Sequence, residues 1–321
     1  MPAGKNERRR FTRLFFVTDI HGSEETFSKF VRAKQIYGVD VLLLSGDLTG
    51  KLVIPIVKQA DDTYTSNLMG QEWKLNKEEE VANIQKRIET MGFYWYMTDR
   101  AGAEKLTSDL SIYDEVYKQL SILRLRHWIN MIDQRALSEG FQIYVTTGND
   151  DPPYVRDVLK TCANVVDTED SVVLVDETHE MISLGFSNPT PWKTPRECSE
   201  DELTERIESA CSQVKNMKNC LFNFHIPPKD SGLDTATKVD QTLKADMREI
   251  IGAGSTSVRK AIETHQPLLG LHGHIHESRG TIRIGRTLCI NPGSEYAEGI
   301  LRGAIVSFDQ EKIRGHQFTS G

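Results

Sequence analysis

The chain has 321 residues, 38% hydrophobic and 26% charged, enough apolar material for one large core or two modest ones and too much for a disordered chain. Its formal net charge of −7 excludes a global positive field toward nucleic acid or anionic membrane and leaves only a local basic groove for such contacts. No run approaches the ~20 apolar residues of a membrane-spanning helix. The apolar run Leu14–Val17 is too short for the core of a signal peptide and leads straight into candidate site residues. Cys162, Cys198, Cys211, Cys220 and Cys289 are odd in number and form no CxxC pair, so they read as reduced core thiols rather than a zinc knuckle. A cytoplasmic location is expected.

In chain order, short apolar runs rich in β-branched residues predict strands at Leu14–Thr18, Val39–Ser45, Gln142–Thr146, Val172–Val175, Met181–Phe186, Cys220–Phe224, Pro267–Leu271, Thr287–Ile290 and Ala304–Phe308. Amphipathic patterns between them predict helices at Glu24–Ile36, Pro152–Thr161, Glu200–Asn216 and Val239–Thr264. The early strand–helix alternation favours parallel pairing, and the later turn signals Gly285-Arg286 and Asn291-Pro292-Gly293 favour a second, more antiparallel sheet. The expected class is α/β: a two-sheet β sandwich flanked by helices, a single domain over residues 1–321. Residues 51–137 break the rhythm and read as an insertion, largely helical. Its expected parts are a hairpin (Leu52–Gln59, Thr63–Leu75) and two helices (Lys77–Gly92, Ala103–Ser138). Phe93, Tyr94, Trp95 and Tyr96 would pack it on the core, and it offers a cap or a contact for a homo-oligomer.

The chemistry lies where the strands end. Leu-Phe-Phe-Val-Thr runs into Asp19 and His21, and Val-Leu-Leu-Leu-Ser into Gly46-Asp47. Ile-Tyr-Val-Thr-Thr runs into Gly148-Asn149-Asp150-Asp151, Leu-Phe-Asn-Phe into His225, and Leu-Leu-Gly-Leu into His272-Gly273-His274-Ile275-His276. In open α/β sheets those ends gather along one edge, where ligands bind. Carboxylate, amide and imidazole on rigid elements are what divalent cations take. A lone Gly-Asp or a lone core histidine signifies little, but five such clusters at successive strand ends predict two adjoining cation sites with a shared carboxylate. Such a pair clamps both the attacking and the leaving oxygen of an in-line displacement at phosphorus.

The order DxH, GD, GN, H and GHxH resembles the calcineurin-like metallophosphoesterase superfamily, over nearly the whole chain outside the insertion. The resemblance implies a two-sheet sandwich, one metal held by Asp19, His21 and His276, and a second held by Asn149, His225 and His274. Asp47 would bridge the two, and a hydroxide between the metals would be the nucleophile. Two divalent ions are implied as cofactors: manganese, iron, zinc, cobalt or nickel, with manganese favoured. The substrate would be a small-molecule phosphate ester, by preference a diester.

Two departures bear on substrate. Many relatives carry a His after the Asn to protonate or stabilise the leaving oxygen, and here Asp150 stands in that place as the candidate catalytic residue. The second Asp that orients this His in serine/threonine protein phosphatases is absent from Gly46-Asp47-Leu48-Thr49-Gly50. An ordinary Asp, with a pKa of about 3.9, is a poor general acid at neutral pH, so esters with readily departing groups are expected.

Asp151, before Pro152-Pro153, reads as a helix N-cap. Lys229 reads as a turn lysine, Asn291-Pro292-Gly293-Ser294 as a turn, and Arg8, Arg9 and Arg10 as a solvated terminus. His272 offers support behind a ligand, and His127, His179, His265 and His316 have no motif context. A nuclease of the same superfamily is disfavoured by the acidic balance. A scaffold that lost catalysis is disfavoured by suitable residues at all seven ligand positions.

Overall fold

The computed structural model describes residues 11–239 and 245–321; Arg8, Arg9 and Arg10 lie outside them. Two six-stranded sheets face each other. The first runs Ile313–Ser320, Arg302–Phe308, Thr12–Thr18, Val41–Ser45, Ile143–Thr146, Val165–Asp167. The second runs Gly280–Ile284, Thr287–Asn291, Leu269–Leu271, Leu221–Phe224, Glu180–Leu184, Val173–Leu174. This is the expected α/β sandwich. Each sheet has three parallel and two antiparallel pairings; in the first both antiparallel pairings lie at one edge and Val165–Asp167 ends the other in parallel, while in the second one antiparallel strand closes each edge. The second sheet is therefore not the more antiparallel one. Its turn at Gly285-Arg286 closes only an edge hairpin, while Asn291-Pro292-Gly293 leads the chain across to the first sheet.

Burial on both faces explains the unbroken apolar runs. Leu14 and Phe16 point between the sheets, against Leu43, Met181, Leu221, Leu269, Ile290 and Val306. Their neighbours Phe15 and Val17 point outward, beneath helices that bring Phe27, Phe30, Trp128 and Val155. The outer face of the second sheet is covered by Leu203 and Ile207 of Glu200–Cys211 and by Val258 and Ile262 of Thr256–His265. Ser23 and Ser199 start the helices Glu24–Phe30 and Glu200–Cys211 by accepting the N–H of Thr26 and Glu202. Among the described residues no helix is long and apolar enough to cross a membrane. All five cysteines are buried and unbridged.

Four expected elements differ. The helix expected over Glu24–Ile36 is two, Glu24–Phe30 and Ala33–Tyr37. The helix expected over Val239–Thr264 exists only as Thr256–His265, capped by Ser255. Residues 245–252 instead form a strand paired antiparallel with Thr235–Val239; residues 240–244 lie outside the described part. The apolar spacing of 239, 243, 247 and 250 fits a helix, but the β-branched partner Thr235, Thr237 and Val239 and the breakers Gly252 and Gly254 settle a hairpin. The helix expected over Ala103–Ser138 is two, Arg100–Ser108 and Leu110–Glu139, divided at Asp109, whose carboxylate caps the second. The insertion holds more than a hairpin: four strands in the order Gln71–Leu75, Tyr64–Leu68, Val53–Lys58, Tyr94–Thr98. Met69 and Gly70, both at positive φ, split the expected second strand. Phe93 and Trp95 fill the insertion's own core with Ile56, Leu75 and Ile88, and Tyr94 and Tyr96 pack with Val53 and Leu106. Phe93, Trp95 and Tyr96 therefore build the insertion, while Tyr94 also ties it to the sandwich by accepting the Gly50 N–H at 2.9 Å.

Just beneath the site edge, the two sheets are bolted by polar side chains. Asn223 accepts from Ser45 Oγ at 2.7 Å and donates to Thr146 Oγ1 at 2.7 Å and Ser183 Oγ at 2.9 Å; all four residues are buried. Asn223→Ala should strand these hydroxyls and lower unfolding free energy by about 2–3 kcal/mol, read as an earlier urea midpoint at unchanged m-value. A loss below ~0.5 kcal/mol would show that the bolt bears no stability.

Candidate metal centre

The parallel ladders do not stop at the strand ends but carry the site loops with them. Asp19 N–H bonds Gly46 O at 3.1 Å, His21 N–H bonds Asp47 O at 2.9 Å, and Gly273 N–H bonds His225 O at 2.9 Å. The backbone then bends into conformations that side chains avoid. Asp19 (φ 55), His21 (φ 38), Asp47 (φ 50) and His274 (φ 65) are all left-handed, and strain of this kind gathers at functional sites. Two glycines give the room required. A Cβ on Gly46, itself at φ 76, would fall 2.0 Å from His225 Nδ1, and one on Gly273 would fall 2.4 Å from Asp19 Oδ2.

All seven side chains of the expected metal set come together, in two groups. In one, His276 Nε2 lies 3.3 Å from Asp19 Oδ1 and 3.1 Å from His21 Nε2. In the other, His274 Nδ1 lies 2.7 Å from Asn149 Oδ1, and His225 Nε2 lies 3.3 Å from Asp47 Oδ2. Asp47 Oδ2 is also 3.7 Å from His21 Nε2, which puts one carboxylate oxygen between the groups. Its other oxygen accepts the Asp150 N–H at 3.0 Å. Asn149 Nδ2 donates to Thr194 Oγ1 at 2.9 Å, which turns Oδ1 toward His274.

Charge in this cluster is tightly matched. Burial opposes the ionised form of Asp19, yet His225 and His276 outweigh it and lower its pKa to about 2. Asp47 is likewise held well below the carboxylate range, with His225 and His21 overcoming its burial. Burial also opposes a charge on His225, but Asp47 and Asp19 push it up to about 9. His274 gives way instead: burial, then His225, lower it to about 4. Asp150 is raised to about 6 by burial and by Asp47, against the pull of Lys51.

The donor set fits a pair of divalent cations. Two imidazole nitrogens face each other at 3.1 Å. His225 Nε2 lies 3.3 Å and 3.7 Å from two carboxylate oxygens and yet makes no hydrogen bond among the described residues, and His21 Nδ1 and His225 Nδ1 make none either. Buried nitrogens without partners are costly unless something absent from the protein satisfies them. Three-residue groups within metal reach are Asp19, His21 and His276; Asp47, His225 and His274; and His21, Asp47 and Asp150.

Around this centre some residues behave differently from expectation. Asp151 does not cap a helix: the helix Tyr154–Leu159 starts from Pro153 with no side-chain cap. The Asp151 carboxylate turns back into the site and accepts the N–H of Leu48 (2.9 Å), Thr49 (2.9 Å) and Gly148 (2.7 Å) and the Thr49 hydroxyl (2.9 Å). It thereby ties the Asp47 loop to the Asn149 loop. Lys229 folds onto the Gly252 carbonyl. His272 is buried, with Nδ1 2.8 Å from Phe224 O, one residue before His225. The Asn291–Ser294 turn is a buttress: Asn291 Nδ2 donates to Ile275 O at 3.0 Å and Ser294 Oγ to Asp19 O at 2.6 Å. His127, His179 and His265 pair with Glu24, Asp176 and Glu208. Sequence reasoning missed Lys51, whose Nζ is 3.1 Å from Asp150 Oδ2, and Tyr296, whose ring centroid is 4.7 Å from that of His21. Lys51 sits four residues after Asp47, and that short spacing was the available signal.

No family model matches the chain. Over 167 residues, 51% of this chain and 70% of the relative, the sequence is 32% identical to uncharacterized protein MJ1162 of Methanocaldococcus jannaschii. The fold is similar to the crystal structure of TT1561 of Thermus thermophilus, with TM-score 0.53 and 14% identity over 97% of this chain and 99% of that one. A second crystal structure is similar at TM-score 0.56 and 14% identity, again over 97% and 99% of the two chains.

The charge pattern sets the pH behaviour of the metal-free protein. A His225 pKa of about 9, above the unfolded value of about 6.5, gives a stabilising contribution fully present below the latter. That contribution fades as pH rises through the former. The urea midpoint of chelated protein should therefore fall across this window, and manganese added at neutral pH should release about one proton per chain. A pH indicator in weak buffer reads the release; its absence would mean that His225 is neutral before metal arrives.

Proposed function

The chain belongs to one family with MJ1162, and from its fold and its seven converging side chains we propose that it is a dinuclear metal-dependent phosphodiesterase of the calcineurin-like metallophosphoesterase superfamily, acting on a small molecule. The observation that carries this reading is Asp47 Oδ2, placed between His21 Nε2 at 3.7 Å and His225 Nε2 at 3.3 Å. One carboxylate oxygen set between two donor groups supports a pair of cations over a single one. Asp19, His21 and His276 would hold one ion, and Asn149, His225 and His274 the other. When bound, such ions neutralise phosphoryl oxygens and activate a water for in-line attack on phosphorus. Manganese is favoured by the mixed imidazole, carboxylate and amide set.

The chain's own residues set the rest of the chemistry. Asp151 and the αL backbone at Asp19 and Asp47 hold the ligand loops before substrate arrives, so little reorganisation remains for the reacting complex. Asp150 is paired with Lys51 at 3.1 Å, so the two together add no net positive charge to match the second charge of a monoester dianion, which supports the singly charged diester as substrate. Two cations beside Asp150 would favour its charged form over the raised pKa of the metal-free site, and an ionised carboxylate does not protonate an alkoxide, which favours alcohols that leave readily. The five buried, unbridged cysteines support a reducing, cytoplasmic setting.

Metal analysis with a panel of phosphate mono- and diesters tests the reading. Wild-type protein should retain about two divalent ions per chain. Chelation should abolish diester hydrolysis and manganese restore it. Asp47→Asn should lose metal and at least about 100-fold in rate. Protein that stays metal-free and inert after reconstitution would instead support a scaffold. Asp150→His should improve alkyl esters relative to aryl esters; identical ratios in both proteins would remove Asp150 from leaving-group chemistry.

A further inference from the structure

Among the described residues, Lys51 is the cation at this mouth without an assigned task. Its Nζ is 3.1 Å from Asp150 Oδ2, which in turn lies 3.8 Å from His21 Nδ1. An exposed ion pair is ordinarily worth little, but this one differs in its setting. The Lys51 side chain is 44% exposed and that of Asp150 20%, whereas Asp19, Asp47 and His225 are almost wholly buried. An ammonium has three donors, and Asp150 takes one.

The backbone that launches Lys51 is held by the insertion. The Tyr94 hydroxyl accepts the Gly50 N–H at 2.9 Å, and the Tyr117 hydroxyl donates to the Gly50 carbonyl at 2.7 Å. The two rings meet edge to face at 5.6 Å. Arg124, on the same helix as Tyr117, donates to Gly22 O at 2.6 Å, one residue beyond His21. Gly50 leaves no room to slip, since a Cβ there would fall 2.1 Å from Gly92 O. Gly50 bears no metal donor, so what these bonds fix is the direction in which Lys51 departs.

In-line displacement puts the entering and leaving oxygens on opposite faces of phosphorus. Attack from the side of the buried donors would therefore send the leaving oxygen toward the more exposed side, where Lys51 stands. We propose that the Lys51 ammonium hydrogen-bonds the leaving oxygen of the ester, and that Tyr94 and Tyr117 are positioning residues through which the insertion sets that contact. This rests on the hydrolase reading above. As the water oxygen bonds phosphorus, the P–O bond to the alcohol breaks and the departing oxygen keeps the electron pair. Lys51 shares its charge without giving up its proton, and the alkoxide takes a proton from solvent while the attacking water loses one.

The test uses metal-loaded protein and two diesters of methyl phosphate, one releasing nitrophenol and one phenol. Lys51→Met should keep its metals and its KM, lose about 10–100-fold in kcat on the phenyl ester and less than about threefold on the nitrophenyl ester. Lys51→Arg should keep most of the phenyl activity. Tyr117→Phe should follow Lys51→Met in the same direction by about 3–10-fold, and the double variant should be no worse than Lys51→Met alone. Unchanged rates, or equal losses on the two esters, would overturn the contact with the leaving oxygen. Losses that multiply in the double variant would overturn the role of Tyr117. If these occur while wild-type protein hydrolyses both esters, the hydrolase reading stands and this one falls; wild-type protein that holds metal but hydrolyses neither ester defeats both.

Discussion

The structure depends on keeping buried negative charge at the joint between two sheets. Asp19, Asp47 and Asp151 are each at most 3% exposed, and Asp150 stands beside them, partly exposed. Two unit charges 4 Å apart repel by about 4 kcal/mol even at an effective dielectric of 20, so no such cluster survives without partners. Asp151 is satisfied by backbone N–H groups and the Thr49 hydroxyl. Asp19 and Asp47 are satisfied by imidazoles, an arrangement that still leaves His225 Nε2 and Nδ1 without hydrogen bonds. Cations held there would complete it, which would make metal binding part of the electrostatics of the folded site and not an addition to it.

The sandwich supplies the rigidity that this charge cluster needs. Four of the seven donors sit in left-handed backbone, at a cost of about 1–2 kcal/mol per residue. That cost is borne because ladder bonds continue past the strand ends, from Asp19 to Gly46 and from Gly273 to His225. The Asn223 bolt beneath holds the two sheets in register across the joint. The insertion adds a third support, since Tyr94, Tyr117 and Arg124 grip the two loop peptides beside Lys51 and His21.

The strands and the donors were legible because both have local signatures. Runs such as Leu14–Thr18 and Val41–Ser45 are apolar on both faces, and each ends in an Asp, Asn or His that a buried strand would not otherwise tolerate. What escaped is non-local. The role of Asp151 depends on the Leu48 and Thr49 amides about a hundred residues away, while its neighbours Pro152-Pro153 imitate a cap. The helical spacing at 239–250 was overruled by pairing with Thr235–Val239. Lys51 and Tyr296 carry no motif at all, and they join the site only because the insertion and the last 3-10 turn bring them to His21.

One consequence ties the departures from the superfamily pattern together. A histidine after Asn149 would serve as acid and need its own carboxylate to orient it; this chain has neither. In their place stand a carboxylate and an ammonium 3.1 Å apart. The pair is nearly neutral as a unit, so it adds little repulsion against a singly charged ester while keeping a strong donor at the mouth. The aspartate holds the lysine and also meets the metal donors, its N–H on Asp47 Oδ1 at 3.0 Å and its carboxylate 3.8 Å from His21 Nδ1. The insertion holds the peptide that carries the lysine, so on the proposed reading it becomes an element that can tune which alcohol departs.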